Sequence, residues 1–461
     1  MNTRSRSIVR RYAGNLGMVM VLLATLVLGC ASPEQPTATR RAVRTPKPTF
    51  TPVPQVTAER PTAGAALSPT VPLSPVETAE TLPTEAPTNT PELPTPTEEP
   101  EPSPTEPAGP TRMQSPEYGM QAFLWYRPEV ASRDVQLVKN AGFGWIKQGV
   151  GWRDVEATKG SFNWEPLDRV VQWCEEQELK LLLRVDHQPG WARGECAGAG
   201  QQGPPANLDN FTDFLRVMAS RYRGKVQAYE IWNEPNLARE WCNHPPSASE
   251  YVELLAAAYR VIKATDPAAL VITAGLTPTT EISERARADV VYLREMYEAG
   301  AKPYFDLLGV HGAGYKAPPE MDPAEVARDP VLTNNDPSSE ELKRAYCFRH
   351  VEDLRAIMVE YGDGDKQVAI LEMGWTVDSR PDSPYFWHRA ENEQVQAEYL
   401  VRAYQYAKEH WSPWIGLMSL IYIAKHEWTE NDEQYWWSIT YPGWPEFRPR
   451  PAYDALKAMS K

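Results

Sequence analysis

The chain has 461 residues, a formal net charge of −14 and a sequence pI near 5.2, which argues against a nucleic-acid partner. Its five cysteines contain no Cys-x-x-Cys and its seven histidines no paired spacing, so neither a zinc site nor another cofactor is expected.

Residues 1–29 begin with Arg4, Arg6, Arg10 and Arg11 and continue as an apolar run from Leu16 to Leu28. That run has the length of a signal peptide and is short of the ~20 residues that span a bilayer. It ends in Leu26-Val27-Leu28-Gly29-Cys30, which resembles the bacterial lipobox, whose Cys carries the lipid. The alternative is a plain secretory signal followed by a chance Cys. Residues 30–115 are mostly Pro, Thr, Ser, Ala and Glu, with about a quarter Pro and almost no aromatics. Such a segment buries too little apolar surface to offset folding entropy, and Pro stiffens it into an extended tether. The expectation is an extracytoplasmic, cell-surface lipoprotein that meets the membrane only through Cys30.

Residues 116–461 hold nearly all the Trp and Tyr, and here strand and helix signals alternate. Strand-like runs fall at 118–124, 145–150, 181–185, 227–232, 270–274, 307–311, 368–372 and 415–423. Helix-period segments follow them at 129–141, 167–178, 210–222, 249–265, 289–299, 339–361, 393–410 and 452–459. Asn207 and Ser247 stand where helix caps are expected, the latter with capping-box spacing to Glu250. Cys174 and Cys347 lie in helical patterns as packed thiols. Cys196 and Cys242 fall in loops after neighbouring strands, where an exported protein can join them. Eight strand-helix units predict a (β/α)8 barrel. A doubly wound open sheet is the alternative, disfavoured because no Gly-rich turn follows the first strand.

In a barrel the site lies at the carboxyl ends of the strands. The segment Tyr229-Glu230-Ile231-Trp232-Asn233-Glu234-Pro235-Asn236 reads as a buried strand stopped by Pro235, which has no N–H for a ladder. Glu234 thus ends the fourth strand. A second apolar run, Val368-Ala369-Ile370-Leu371-Glu372, ends the seventh strand in another glutamate, followed by Gly374 and Trp375. Two carboxylates facing one mouth suit glycoside cleavage: one attacks the anomeric carbon, and the other protonates the leaving oxygen. The two repel as anions, so the more desolvated one should hold its proton near neutral pH and serve as the acid.

These residues, in this order, resemble clan A of the glycoside hydrolases. The strand-four segment is similar to that of family 39, with family 5 a near alternative. The run Trp152, Glu156, Gly160 and Trp164 resembles a motif after the second strand of these enzymes. Pro189-Gly190-Trp191-Ala192 resembles their loop after the third. The resemblance implies Glu234 as general acid/base, Glu372 as nucleophile and Asn233 on the sugar 2-hydroxyl. It places His311 and Tyr315 near the nucleophile, though Tyr315 lies further along than in the family pattern. Asp186-His187 resembles a polar pair near the non-reducing sugar. Lys147 stands where many relatives have Arg on strand two, so a bidentate clamp on the nucleophile is lost and a single charge contact is kept. Trp428 is expected as the aromatic floor of the site, with Trp191 and other loop tryptophans as subsite walls or packing anchors. The implied activity is a retaining β-glycosidase with a carbohydrate substrate. A transglycosylase and a non-catalytic carbohydrate-binding lipoprotein on a degenerate barrel are the alternatives.

Overall fold

The eight apolar runs form eight strands in a computed structural model that describes residues 113–194, 196 and 202–461. The leader, Cys30 and the tether up to residue 112 lie outside the described residues. The strands are β1 (Glu117–Gln121), β2 (Trp145–Gly151), β3 (Lys180–Asp186), β4 (Ala228–Ile231), β5 (Leu270–Thr273), β6 (Leu307–Ala313), β7 (Gln367–Gly374) and β8 (Ile415–Leu420). Each pairs in parallel with its neighbour in chain order, and β8 returns to β1, so the sheet is a closed barrel. The open-sheet alternative is thereby excluded.

Helices follow the strands at Pro128–Asn140, Glu165–Glu176, Leu208–Arg221, Ala248–Thr265, Asp289–Glu298, Val351–Glu360, Glu393–His410 and Pro451–Ala458. The two caps read from sequence are present: Asn207 accepts from the Asp209 N–H at 2.7 Å and Ser247 from the Glu250 N–H at 3.3 Å. Glu250 does not turn back to complete a capping box; its carboxylate accepts the Trp241 indole N–H at 2.6 Å. The helix expected over 339–361 is broken. Glu340–Lys343 is one turn, two 3-10 turns follow, and Cys347 between them is extended. There His350 bonds Asp289 at 2.9 Å and Asp353 at 3.0 Å, and such anchoring outweighs helical period. Among the described residues no helix is long and apolar enough to cross a membrane.

The barrel axis holds two layers with different chemistry. The lower layer is apolar, built from Trp145, Leu182, Ala228, Leu307 and Leu417 among others. Met113 belongs to it, although composition assigns that residue to the tether; its N–H donates to Gln367 Oε1 at 2.8 Å. Two residues along three of these strands, on the same face, come Lys147, Arg184 and Glu230. Period-two alternation therefore carries charge into the upper layer. Lys147 Nζ lies 2.9 Å from Glu230 Oε2, with both side chains at most 1% exposed.

Strand β7 needs a further device. Val368 and Ile370 pack against the helices while Ala369 and Leu371 face the axis, so strict alternation would send Glu372 outward. Instead Val310 pairs with Ile370 and His311 with Glu372, leaving Leu371 as the extra residue of a bulge. A bulge re-aims the side chain that follows it. Glu372 is turned into the mouth.

Removing one partner of a buried ion pair leaves an uncompensated charge, which typically costs about 3–5 kcal/mol. Glu230→Leu is expected to lower stability by about that much in guanidinium denaturation; an unchanged midpoint contradicts the buried pair.

Candidate active site

The rim at the carboxyl ends of the strands is where the backbone is strained. Trp232 and Glu234 after β4 have φ of 75° and 40°, His187 after β3 has 55° and Tyr315 after β6 has 54°. A non-glycine residue in this region costs about 1–3 kcal/mol, and persists only where its surroundings over-determine it. Here they do. The Trp232 ring is fully buried and its indole N–H donates to the Glu240 carbonyl at 3.1 Å. Asn236, also fully buried, donates to the carbonyls of Thr277 at 2.9 Å and Arg287 at 3.0 Å and accepts from the Thr277 N–H at 3.1 Å. The turn after β4 is thus fastened to the loop after β5, with Asn233 and Glu234 held between.

Glu372 sits among cations. Arg184 Nη1 is 3.1 Å from its Oε1, and Lys147 Nζ is 3.6 Å away. The same Arg184 Nη1 donates to Asn233 Oδ1 at 3.0 Å, and its Nε lies 2.9 Å from Asp186 Oδ2. Glu234 has both oxygens engaged: Oε1 meets His311 Nδ1 at 3.1 Å and Oε2 is ion-paired with Arg239. His311 fits because residue 275 is glycine; a Cβ there would stand 2.1 Å from the His311 ring. A disulfide between Cys196 and Cys242 joins the loops after β3 and β4, while Cys174 and Cys347 are buried free thiols.

Burial pushes the Glu372 carboxyl up, but His311, Lys147 and Arg184 together hold it below the usual carboxylate value. Burial also pushes Glu234 up, and Arg239 with His311 outweighs it, so Glu234 lies well below its usual value. This corrects the expectation that Glu234 keeps its proton. Two other buried carboxyls are raised instead. Burial carries Glu240 to about 8, against the pull of Arg239 and with Glu234 and Asp186 adding to it. Burial likewise lifts Glu433 to about 7, opposed by Tyr385 and Arg239.

The remaining expected residues divide. Lys147 reaches Glu372 with a single charge, as the Arg-to-Lys reading requires, but its shorter contact is to Glu230. His311 bonds Glu234 rather than the nucleophile candidate. Tyr315 bonds neither glutamate; its hydroxyl donates to the Pro278 carbonyl at 3.2 Å and its ring packs on Tyr346, Trp387 and His388. His187 is bonded to Asp186 through Nδ1 and lies 2.7 Å from Gln202 Nε2 through Nε2. Trp428, half-buried, packs edge-on against Phe123 and Tyr422. Trp191 packs on Trp152 and donates to the Glu156 carbonyl at 2.9 Å, so it braces the loop after β2. Trp152, Trp241 and Trp375 are fully buried and serve as packing anchors.

Sequence reasoning missed Arg184, Arg239 and Glu240. The Arg184 signal was its place two residues beyond Leu182 on the inward face of β3. Nothing in spacing alone pointed to Arg239, whose partner depends on how the loop folds back. Among the described residues no group of His, Cys, Asp and Glu is placed to hold a metal ion.

A parallel eight-stranded barrel with two glutamates at one mouth is the architecture of a glycoside hydrolase. The sequence model of the cellulase family, glycosyl hydrolase family 5, matches residues 106–336, half of the chain. The chain belongs to that family. The matched residues include Glu234 and stop short of β7. A β-glucosidase-like chloroplastic protein of Oryza sativa subsp. japonica is 27% identical over 145 residues, 28% of this chain and 21% of that protein. Endoglucanase C of Acetivibrio thermocellus is 25% identical over 112 residues, 23% of this chain and 33% of that enzyme. The matched stretches thus span a third or less of these relatives. Among solved structures, a family 39 glycoside hydrolase from Bacteroides cellulosilyticus aligns with a TM-score of 0.54 at 17% identity, covering 74% of this chain and 63% of that one. A monomeric β-xylosidase from Caulobacter crescentus aligns with a TM-score of 0.51 at 15% identity, covering 76% and 68%. At these identities the structures attest the shared fold.

Arg184→Met removes a cation from Glu372, so the carboxyl's folded pKa should rise. Carbon-13 NMR of labelled glutamate measures this directly; an unmoved Glu372 titration contradicts the contact.

Proposed function

We propose that the chain is a surface-tethered, retaining glycoside hydrolase that cleaves β-linked polysaccharides or oligosaccharides by double displacement. The observation that carries this reading is the pairing of Glu234 and Glu372 at one barrel mouth, linked through Asn233 and Arg184. In the first step ionised Glu372 attacks the anomeric carbon, and Glu234 gives a proton to the leaving oxygen. The cations around Glu372 keep it a carboxylate. In the second step Glu234 takes a proton from water, which attacks the glycosyl ester. Its pairing with Arg239 and His311 favours the ionised form that this step needs. Asn233, oriented by Arg184, takes the 2-hydroxyl, and Trp428 offers an aromatic face beside Tyr422. The leader and tether support a cell-surface location.

The substrate panel begins with β-glucan and xylan, because similar proteins carry the names endoglucanase and β-xylosidase. Wild type is expected to hydrolyse at least one polysaccharide, with the β-anomer formed first by proton NMR. Glu234→Gln should lower turnover by about 10²–10⁴-fold, and Glu372→Ala should fall to background. Activity of Glu372→Ala equal to wild type overturns the assignment. An α-anomer formed first indicates inversion, and no turnover with retained sugar binding favours the non-catalytic alternative.

A further inference from the structure

Both Glu234 oxygens are occupied, one by His311 and one by Arg239, yet the acid step requires an O–H directed at the substrate's glycosidic oxygen. One contact must be given up when a glycoside enters. Arg239 has somewhere to go. Its Nε already lies 3.6 Å from Glu240 Oε1, and the arginine side chain is 25% exposed, whereas that of His311 is 6% exposed. Among the described residues, Arg239 Nε and Glu240 Oε2 are buried without a hydrogen-bond partner. A closer Arg239–Glu240 pair would satisfy atoms left wanting in the present one.

We propose that Arg239 moves from Glu234 to Glu240 when a glycoside binds, and that Glu240 is the proton donor that recharges Glu234 as the general acid. This rests on the reading of Glu234 as acid/base. The balance closes with one proton, two carboxyls and one guanidinium. With Arg239 on Glu234, Glu234 is the anion and Glu240 is neutral. With Arg239 on Glu240, Glu240 loses its proton and Glu234 gains one, so total charge is unchanged. The raised Glu240 and depressed Glu234 fit the first arrangement. Asp186 and Arg184 from β3, His311 from β6, Tyr385 from the segment after β7 and Glu433 at the start of the short helix Glu433–Trp437 also face this group and bias it. The backbone is held by the Cys196–Cys242 disulfide and by the Trp232 bond to the Glu240 carbonyl, which confines the movement to the Arg239 side chain. Arg239 and Glu240 are thereby positioning residues for a proton.

The test is leaving-group dependence, because dinitrophenolate departs without an acid and phenolate needs more help. With 2,4-dinitrophenyl and phenyl β-D-glucosides and β-D-xylosides, Glu240→Gln leaves Arg239 no anionic alternative, and Glu234 stays ionised. Phenyl glycoside turnover should fall at least tenfold while the dinitrophenyl glycoside stays within about twofold. In Arg239→Met the Glu234 pKa rises, so the alkaline limb of kcat/KM should move to higher pH. Equal loss on both leaving groups, or no change in either variant, overturns the proposal. Infrared difference spectra of the full chain at pH 6 test it without turnover. A protonated-carboxyl band that disappears in Glu240→Gln and persists in Glu234→Gln supports it; the reverse overturns it. Wild type that hydrolyses no glycoside but keeps the Glu240 band would sink the hydrolase reading alone.

Discussion

One guanidinium holds the mouth of this barrel together. Arg184 reaches Glu372 on β7, Asn233 after β4 and Asp186 at the end of its own strand. Two elements distant in sequence, β7 and the turn after β4, are thereby fixed to a single planar group on β3 whose charge is permanent. The arrangement is costly to bury, which explains the surroundings: these three acceptors are anions or an amide oxygen, and Lys147 with Glu230 lies just below as a second buried pair. Removing the guanidinium would leave Asn233 without its orienting donor and Glu372 with a weaker positive field.

The rest of the mouth is shaped by departures from regular backbone. The Leu371 bulge turns Glu372 inward, and left-handed residues at 187, 232, 234 and 315 end the strands abruptly. Such conformations need rigid support, and it is visible in Asn236 beneath Glu234, in the buried rings of Trp232 and Trp375, and in the inter-loop disulfide. The bulge that aims Glu372 and the Lys147–Glu230 pair lie toward one end of the barrel axis, while toward the other end the axis is filled by an apolar layer that includes Met113. On β2, β3 and β4 the division follows from alternation: the face that is apolar at Trp145, Leu182 and Ala228 is ionic two residues later.

Much of this was legible in the sequence. Eight apolar runs alternating with amphipathic segments specified the barrel, because period two and period 3.6 report which side of the chain meets the core. Glu234 and Glu372 were legible because each terminates such a run. The broken helix over 339–361 was not, since His350 is anchored to Asp289 on another helix and Arg344 to Asp353 nine residues on, and spacing does not reveal either. Lys147 on β2 keeps the single charge contact to Glu372 that the sequence led one to expect, and a guanidinium contact comes from Arg184 on the neighbouring β3, which spacing did not announce. The expectation of a protonated Glu234 weighed desolvation and the repulsion between the two carboxylates but no cation beside Glu234. Arg239, five residues on, folds back and reverses the sign.

The division of labour between the two glutamates meets its most direct test in covalent trapping. A 2-deoxy-2-fluoro β-glycoside with a dinitrophenyl leaving group, built on the sugar the enzyme accepts, slows both steps and lets a glycosyl ester accumulate. Mass spectrometry of the digested protein should find one fluorosugar on the peptide containing Glu372, and none in Glu372→Ala. A sugar attached at any other carboxylate, or no adduct in an enzyme that hydrolyses the parent glycoside, contradicts Glu372 as the nucleophile.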